Sequence, residues 1–286
     1  MRFIDAHTHA YLPEDLAVLK ERLAILDQQL EDDNPHKWQV FGRGDLDSLL
    51  SLEEAAGVER LVLLPITSRP QRIGELNRWA AQAGRRHAQV IPFGILHPLG
   101  EVDEDLALLL ELGLKGVKLH PFIQRFSLEL PQTEVLLERI EQAGLPLLLD
   151  TTHRPGLYRV KPHLEPILSL FDFPDCTPRH IARAAQAHPR LKIIAAHLGC
   201  LYGWEQLEPL YELDNVYFDL AFMNGILPDE QIVAIIRRKG PQRVIYGSDA
   251  AWREPGHFRR WFEALPLTPA EKEQIAAGTI SRLLDL

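Results

Sequence analysis

Short apolar runs alternate with amphipathic stretches along the whole chain, which is the hydrophobic rhythm of repeated βα units. Eight runs read as strands: Arg2–Asp5, Arg60–Leu64, Gln89–Leu96, Gly116–His120, Pro146–Asp150, Lys192–His197, Asn215–Leu220 and Arg243–Tyr246. Between them the periodicity predicts helices over Asp45–Ala56, Gly74–Arg85, Val102–Leu112, Thr133–Gln142, Thr177–Ala187, Pro228–Arg238 and Pro269–Ala277. Thr177-Pro178 supplies a capping hydroxyl before an N1 proline, and Gly57, Gly113 and Gly144 stand where helices should end. Strands that are apolar almost throughout are buried on both faces, hence parallel. Eight units in 286 residues predict a single-domain α/β (β/α)8 TIM barrel spanning residues 1–286. A doubly wound sheet fits less well, because no G-x-G-x-x-G follows a strand and polar residues end nearly every run.

Two connections exceed what a minimal barrel needs. Residues 10–44 include a charged helix-like stretch, Glu14–Glu31, and residues 154–176 are rich in proline and aromatics, among them Tyr158, Phe171 and Phe173. Both leave the C-terminal side of their strands, where barrels carry their active sites, so both are expected over the mouth.

That side also collects the polar chemistry. Six of the twelve histidines close apolar runs. In Phe3-Ile4-Asp5-Ala6-His7-Thr8-His9, residues two apart share a face, so His7 and His9 present two imidazoles together, with Asp5 on the same alternation. Two neutral imidazoles so placed suit a cation. Asp249 ends Val244-Ile245-Tyr246-Gly247-Ser248-Asp249 and supplies a carboxylate that can bind a metal and move a proton. Lys118 and His120 share a face at the end of the fourth strand, and a lysine there must be paired, modified or in contact with a substrate carboxylate. Asp150 ends the fifth strand and reads equally as ligand or as anchor for a ligating histidine. His153 follows it, and His197 ends the sixth strand as ligand or electrophilic catalyst. His97 reads as a support behind the site or as structural, and Tyr202, Trp204 and Trp252 as core or pocket wall.

Composition narrows the partners. The chain is 46% hydrophobic and 25% charged with a net charge of −9 and no basic cluster, which excludes nucleic acid and points to a small-molecule substrate. Two cysteines make no disulfide framework, and the start lacks an apolar leader, so a cytoplasmic protein is expected. No run is long enough to enter a membrane.

With His7-x-His9, His197 and Gly247-Ser248-Asp249 in place, the chain resembles the amidohydrolase superfamily. It is most similar to the amidohydrolase-related branch that includes aminocarboxymuconate-semialdehyde decarboxylase. The resemblance extends through Leu145-Pro146, Ala196-His197-Leu198-Gly199 and the closing Ile280-Ser281-Arg282-Leu283-Leu284. It implies a divalent metal, most often zinc and one or two ions, held by His7, His9 and Asp249. His197 would then be a further ligand or the group that polarises the scissile bond. Lys118 occupies the neighbourhood of a carboxylated lysine, and a homodimer is compatible with the branch. Where the family has a metal-binding histidine on strand five, this chain has Asp150; His120 or His153 is the alternative replacement.

The leading expectation is therefore a metal-dependent hydrolase, with Asp249 and His197 catalytic and Lys118, His120 and His153 binding the substrate. The metal set comprises His7, His9, Asp150, His197 and Asp249. The alternative is a non-oxidative decarboxylase of an unsaturated or aromatic acid, with Lys118, Arg125 or Arg154 as the cation for its carboxylate. A non-catalytic binding barrel is the remaining reading.

Overall fold

The computed structural model describes residues 1–27, 29–31, 34–170 and 173–286; Gln28, within the helix-like stretch Glu14–Glu31, and Phe171 lie outside the described residues. Among the described residues nine short strands fill the eight expected places: β1 (Ile4–Thr8), β2 (Arg60–Leu63), β3 (Val90–Pro92), β4 (Gly94–Ile95), β5 (Val117–Leu119), β6 (Leu147–Leu149), β7 (Ile193–Ala195), β8 (Val216–Asp219) and β9 (Val244–Ile245). They run parallel in the orders β1-β2-β3 and β4 through β9.

The expected third strand is split because Pro92 has no N–H to continue its ladder. After it the pairing changes sides: Phe93 N–H donates to the Leu63 carbonyl (3.1 Å), and Gly94 N–H to the Gly116 carbonyl (2.8 Å). One broken strand thus joins the two arcs. The barrel closes where Ala6 N–H donates to the Tyr246 carbonyl (3.0 Å) and Thr8 bridges Ala250. The result is the TIM barrel that the sequence predicts.

Alternation sorts the strand residues into two layers. Ile4, Ala6, Val62, Leu64, Ile91, Phe93, Leu148, Ile194, Ala196 and Ile245 fill the interior, and Ile280 and Leu283 join this cluster. Phe3, Leu61, Leu63, Val117, Leu119, Leu147, Leu149, Ile193 and Phe218 pack outward among the helices. Each fully buried side chain of this kind is worth roughly 1.5–3 kcal/mol. Most helices fall within a residue or two of expectation, such as Leu46–Ala55 and Pro178–Ala187, the latter opened by a capping box from Thr177 to His180. The stretch predicted as Pro269–Ala277 instead breaks after Glu273 into a π turn, Gln274–Gly278. That turn frees the Ile275 carbonyl to accept Tyr246 N–H at 2.9 Å, extending the end of β9.

The two long connections meet. Lys161 Nζ donates to Asp27 Oδ1 (2.5 Å) and lies 3.3 Å from the centre of the Trp38 ring. Arg253, on the loop after β9, donates to the Pro35 carbonyl and lies over the Phe222 ring.

Candidate metal centre

Seven polar side chains converge at the C-terminal strand ends. β1 reaches this place through an irregularity: between Asp5 and Thr8 its register with β2 slips, three steps on β1 matching two on β2. The slip reverses the phase. Ile4 and Ala6 face the barrel interior, and so, after the slip, do His7 and His9. Asp5 is left on the opposite side, where its charge bears on Glu53 and Tyr246. The simple alternation that grouped Asp5 with the histidines is corrected by this bulge. His197 (φ 58°) and Asp249 (φ 70°) adopt left-handed backbone, which turns each side chain into the mouth at a local cost.

Hydrogen bonds behind the imidazoles set their orientation. His7 Nδ1–H donates to Asp219 Oδ2 (2.9 Å), and His9 Nδ1–H to the Leu64 carbonyl (2.9 Å). Each Nε2 is left as an acceptor, and the two lie 3.1 Å apart. Asp249 Oδ1 stands 3.6 Å from His7 Nε2 and 3.4 Å from His9 Nε2. His197 donates through Nδ1 to the Ala221 carbonyl (2.9 Å), and its Nε2 is 3.2 Å from Asp150 Oδ1. Lys118 Nζ contacts Asp150 Oδ2 (3.0 Å) and His7 Nε2 (3.2 Å), while His120 Nε2 is 3.5 Å from Asp150 Oδ2. Donor atoms of His7, His9 and Asp249 lie within 4.8 Å of one another, as do those of His7, Asp150 and His197.

The charges follow from this packing. Burial, reinforced by Lys118, holds His7 well below its usual range and hence neutral. Burial opposes the charged form of Asp150, yet His120, Lys118 and His197 outweigh it and keep the carboxyl well below its normal value. Asp249 is held at about 2 in the same way, by His7 and His9 against burial. Burial also disfavours the His197 imidazolium, but Asp150 and Asp249 overcome it and lift that group to about 9. Asp150 Oδ1 has no aligned hydrogen bond despite complete burial. Two facing acceptor nitrogens beside the carboxylates of Asp249 and Asp150 form a donor set that a divalent cation satisfies.

The structure therefore gathers His7, His9, Lys118, His120, Asp150, His197 and Asp249. It does not bring in His153, whose Nδ1 faces Asp175 Oδ1 (3.2 Å) and whose Nε2 faces Gln206 (3.1 Å). The expected substrate-binding or ligand-replacing role for His153 finds no support in this geometry, since both ring nitrogens are engaged by Asp175 and Gln206; the helix Arg154–Val160 begins directly after it. Arg154 is likewise engaged, donating to the Phe173 carbonyl. His97 lies outside the group, with Nε2–H donating to the Gln124 carbonyl at 3.0 Å.

Two residues of the site were not singled out in the sequence. Asp219 holds His7 and also accepts the backbone N–H of His197 (2.8 Å) and Ala221 (3.1 Å). Its signal was a lone acid closing the apolar run Val216-Tyr217-Phe218. Tyr11 extends the alternation of His7 and His9; its ring lies parallel to that of His9 (centroids 6.4 Å, 20°) and edge-on to Trp252 (6.2 Å, 85°).

The amidohydrolase family model matches residues 4–286. This chain belongs to the amidohydrolase family. Among curated proteins it is similar to gamma-resorcylate decarboxylase from Rhizobium radiobacter, 23% identical, covering 84% of this chain and 87% of the relative. Among solved structures it shares its fold with 2,6-dihydroxybenzoate decarboxylase from Rhizobium (TM-score 0.67, 20% identity, 100% and 99% of the two chains). It also shares it with a dihydroxybenzoic acid decarboxylase from a Polaromonas species, solved with manganese and the inhibitor 2-nitroresorcinol (TM-score 0.70, 18% identity, 100% and 97%).

These relatives overturn the expectation that the amidohydrolase-family chain hydrolyses an amide, ester or lactone. They are decarboxylases, which favours the alternative enzymatic reading of the sequence. They also speak for an enzyme over a non-catalytic barrel. The expectation of zinc finds no support among them, the Polaromonas structure holding manganese. Among the described residues no helix is long and apolar enough to cross a membrane.

Proposed function

We propose that this chain is a non-oxidative decarboxylase of a hydroxylated aromatic acid, dependent on a divalent cation such as manganese. The observation that carries the reading is the division of the site into a cation-holding part and a proton-holding part. His7, His9 and Asp249, with Asp150 Oδ1, would hold the cation; two imidazoles and two carboxylates are a donor set suited to a harder ion than zinc. When bound, that ion supplies positive charge that draws the oxygens of the substrate's carboxylate and adjoining hydroxyl into the mouth.

His197 stands beside this group. With Nδ1–H committed to Ala221, its Nε2 faces the Asp150 carboxylate, which favours a proton on that nitrogen. Loss of carbon dioxide from an aromatic ring needs an acid, since the carbon that bears the carboxylate must gain a proton as it loses CO2. His197 Nε2 would donate that proton to the ring carbon. The C–C bond then breaks, its electron pair returns to the ring, and CO2 leaves with no net oxidation. Asp249, held at about 2, is a weak base, and its role is to hold charge rather than to take protons. Lys118 pairs with Asp150, and His120 lies beside the same carboxylate oxygen, which keeps the carboxylate in place.

The long connections 10–44 and 154–176 would cover the mouth; the Lys161–Asp27 pair and the Arg253–Pro35 contact support this. Manganese-loaded protein incubated with 2,6-dihydroxybenzoate should yield resorcinol and CO2, followed by chromatography and gas release. Failure across a panel of hydroxybenzoates, with one metal ion bound per chain, overturns the proposal.

A further inference from the structure

Phe222 and Arg253 hold neither the cation nor the proton, yet both are buried beside the site, on the loops that follow β8 and β9. The backbone of Phe222 is left-handed (φ 67°), a conformation that a bulky side chain keeps only where its surroundings impose it. Here the site imposes it. Phe222 N–H donates to the Ser248 carbonyl (3.3 Å), one residue before Asp249. The turn that leads into Phe222 supplies Asp219 Oδ1 to the backbone N–H of His197 (2.8 Å) and the Ala221 carbonyl to its Nδ1–H (2.9 Å). The same turn then sets the Phe222 ring against the imidazole of His197, with centroids 6.4 Å apart and planes at 77°.

Arg253 secures that ring from the next loop. Its backbone N–H donates to the Asp249 carbonyl (3.1 Å). Its guanidinium lies 3.6 Å from the centre of the Phe222 ring, and Nη2 donates to the Pro35 carbonyl. Its Nε is buried with no hydrogen-bond partner among the described residues. The ring face and one carbonyl are thus the side-chain contacts that fix its place, and a desolvated guanidinium on an aromatic face is held firmly. The contacts run in series from Pro35, in the long connection 10–44, through Arg253 and Phe222 to His197. One hydrogen bond at Nδ1 leaves an imidazole able to rock about that bond; a ring packed against it removes this freedom.

We propose that Arg253 is a positioning residue for proton transfer: it holds the Phe222 ring against His197 and so keeps Nε2 in line with the substrate carbon that loses CO2. The inference rests on the decarboxylase reading and adds to it the packing that aims the proton. Arg253 acts through the ring, so its loss falls on the chemical step and not on substrate binding.

The test is steady-state kinetics on 2,6-dihydroxybenzoate, in H2O and in D2O, of manganese-loaded parent, Arg253→Met, Arg253→Lys, Phe222→Leu and the Arg253→Met, Phe222→Leu double variant. Arg253→Met should lower kcat about tenfold, less than a full ångström of misplacement costs, with KM within about twofold. The solvent isotope effect on kcat should rise, because a misaimed donor slows proton transfer relative to the other steps. A smaller share of folded enzyme would lower kcat and leave that effect unchanged. Adding Arg253→Met to Phe222→Leu should cost less than about twofold, since the ring through which Arg253 acts is gone. Arg253→Lys, which keeps a cation on the ring, should recover part of the loss. Losses that multiply in the double variant overturn the inference, as does an unchanged isotope effect or a loss carried by KM. A parent that holds manganese but releases no CO2 from any hydroxybenzoate fails the decarboxylase reading and the inference with it, an outcome distinct from those three.

Discussion

At the scale of single residues, the structure separates groups that serve the site from groups that strain the fold. Asp219 has no contact with the cation-holding space, yet it fixes the ring of His7 and the backbone of His197. Asp219→Asn should lower metal affinity about 10–100-fold, as removal of such an orienting group does elsewhere, with the secondary structure unchanged by circular dichroism. Glu53 lies on the helix Leu46–Ala55 and is 2% exposed, with both carboxyl oxygens unpartnered. Burial, then the charge of Asp5, pushes its carboxyl well above the usual range, and burial carries Asp5 from 3.8 to about 7. Both groups hold protons more tightly folded than unfolded, so the folded state loses stability as pH rises from about 4 towards 7. Glu53→Met should therefore raise stability at pH 7.5 by about 1–3 kcal/mol, and the gain should shrink towards pH 5; urea melts at the two values check both signs.

At the scale of elements, strand number, parallel order and most helices were legible because burial on both faces leaves a strong apolar signature. The donors at the ends of β1, β5, β6, β7 and β9 were legible for the same reason: a polar residue closing an apolar run has few other uses. What escaped were local departures from period. The slip in β1 put Asp5 on the wrong face, Pro92 split one strand into two, and a π turn broke the last predicted helix. His153, close to Asp150 in sequence, has its ring nitrogens on Asp175 and Gln206 instead. The slip and the π turn are settled by backbone pairing with distant partners, and a proline in an apolar run does not by itself say where a strand divides. Between the two long connections, Lys161 and Asp27 form a buried pair beneath Trp38. Asp27→Ala should cost about 3–5 kcal/mol by leaving the ammonium buried and unpaired, and Asp27→Leu with Lys161→Met should recover most of that loss. A double-mutant cycle in urea measures it.

At the scale of the whole molecule, metal and fold are linked. A cation that binds only the folded chain adds stability as its concentration rises, about 2.7 kcal/mol at a hundredfold excess over Kd. Manganese should accordingly raise the melting temperature by several degrees, and a chelator should reverse the shift; the same scan on Asp150→His should show manganese losing ground to zinc. The proposed cation-holding group is also assembled from distant parts of the sequence, since His7 lies on β1, His9 follows it and Asp249 lies beyond β9, with Asp249 N–H donating to the His7 carbonyl at 2.9 Å. A growing chain on the ribosome thus carries these two imidazoles long before it carries Asp249. On the proposed reading the full donor set exists only after synthesis has passed Asp249 and the barrel has closed, so the metal would be selected by the folded protein.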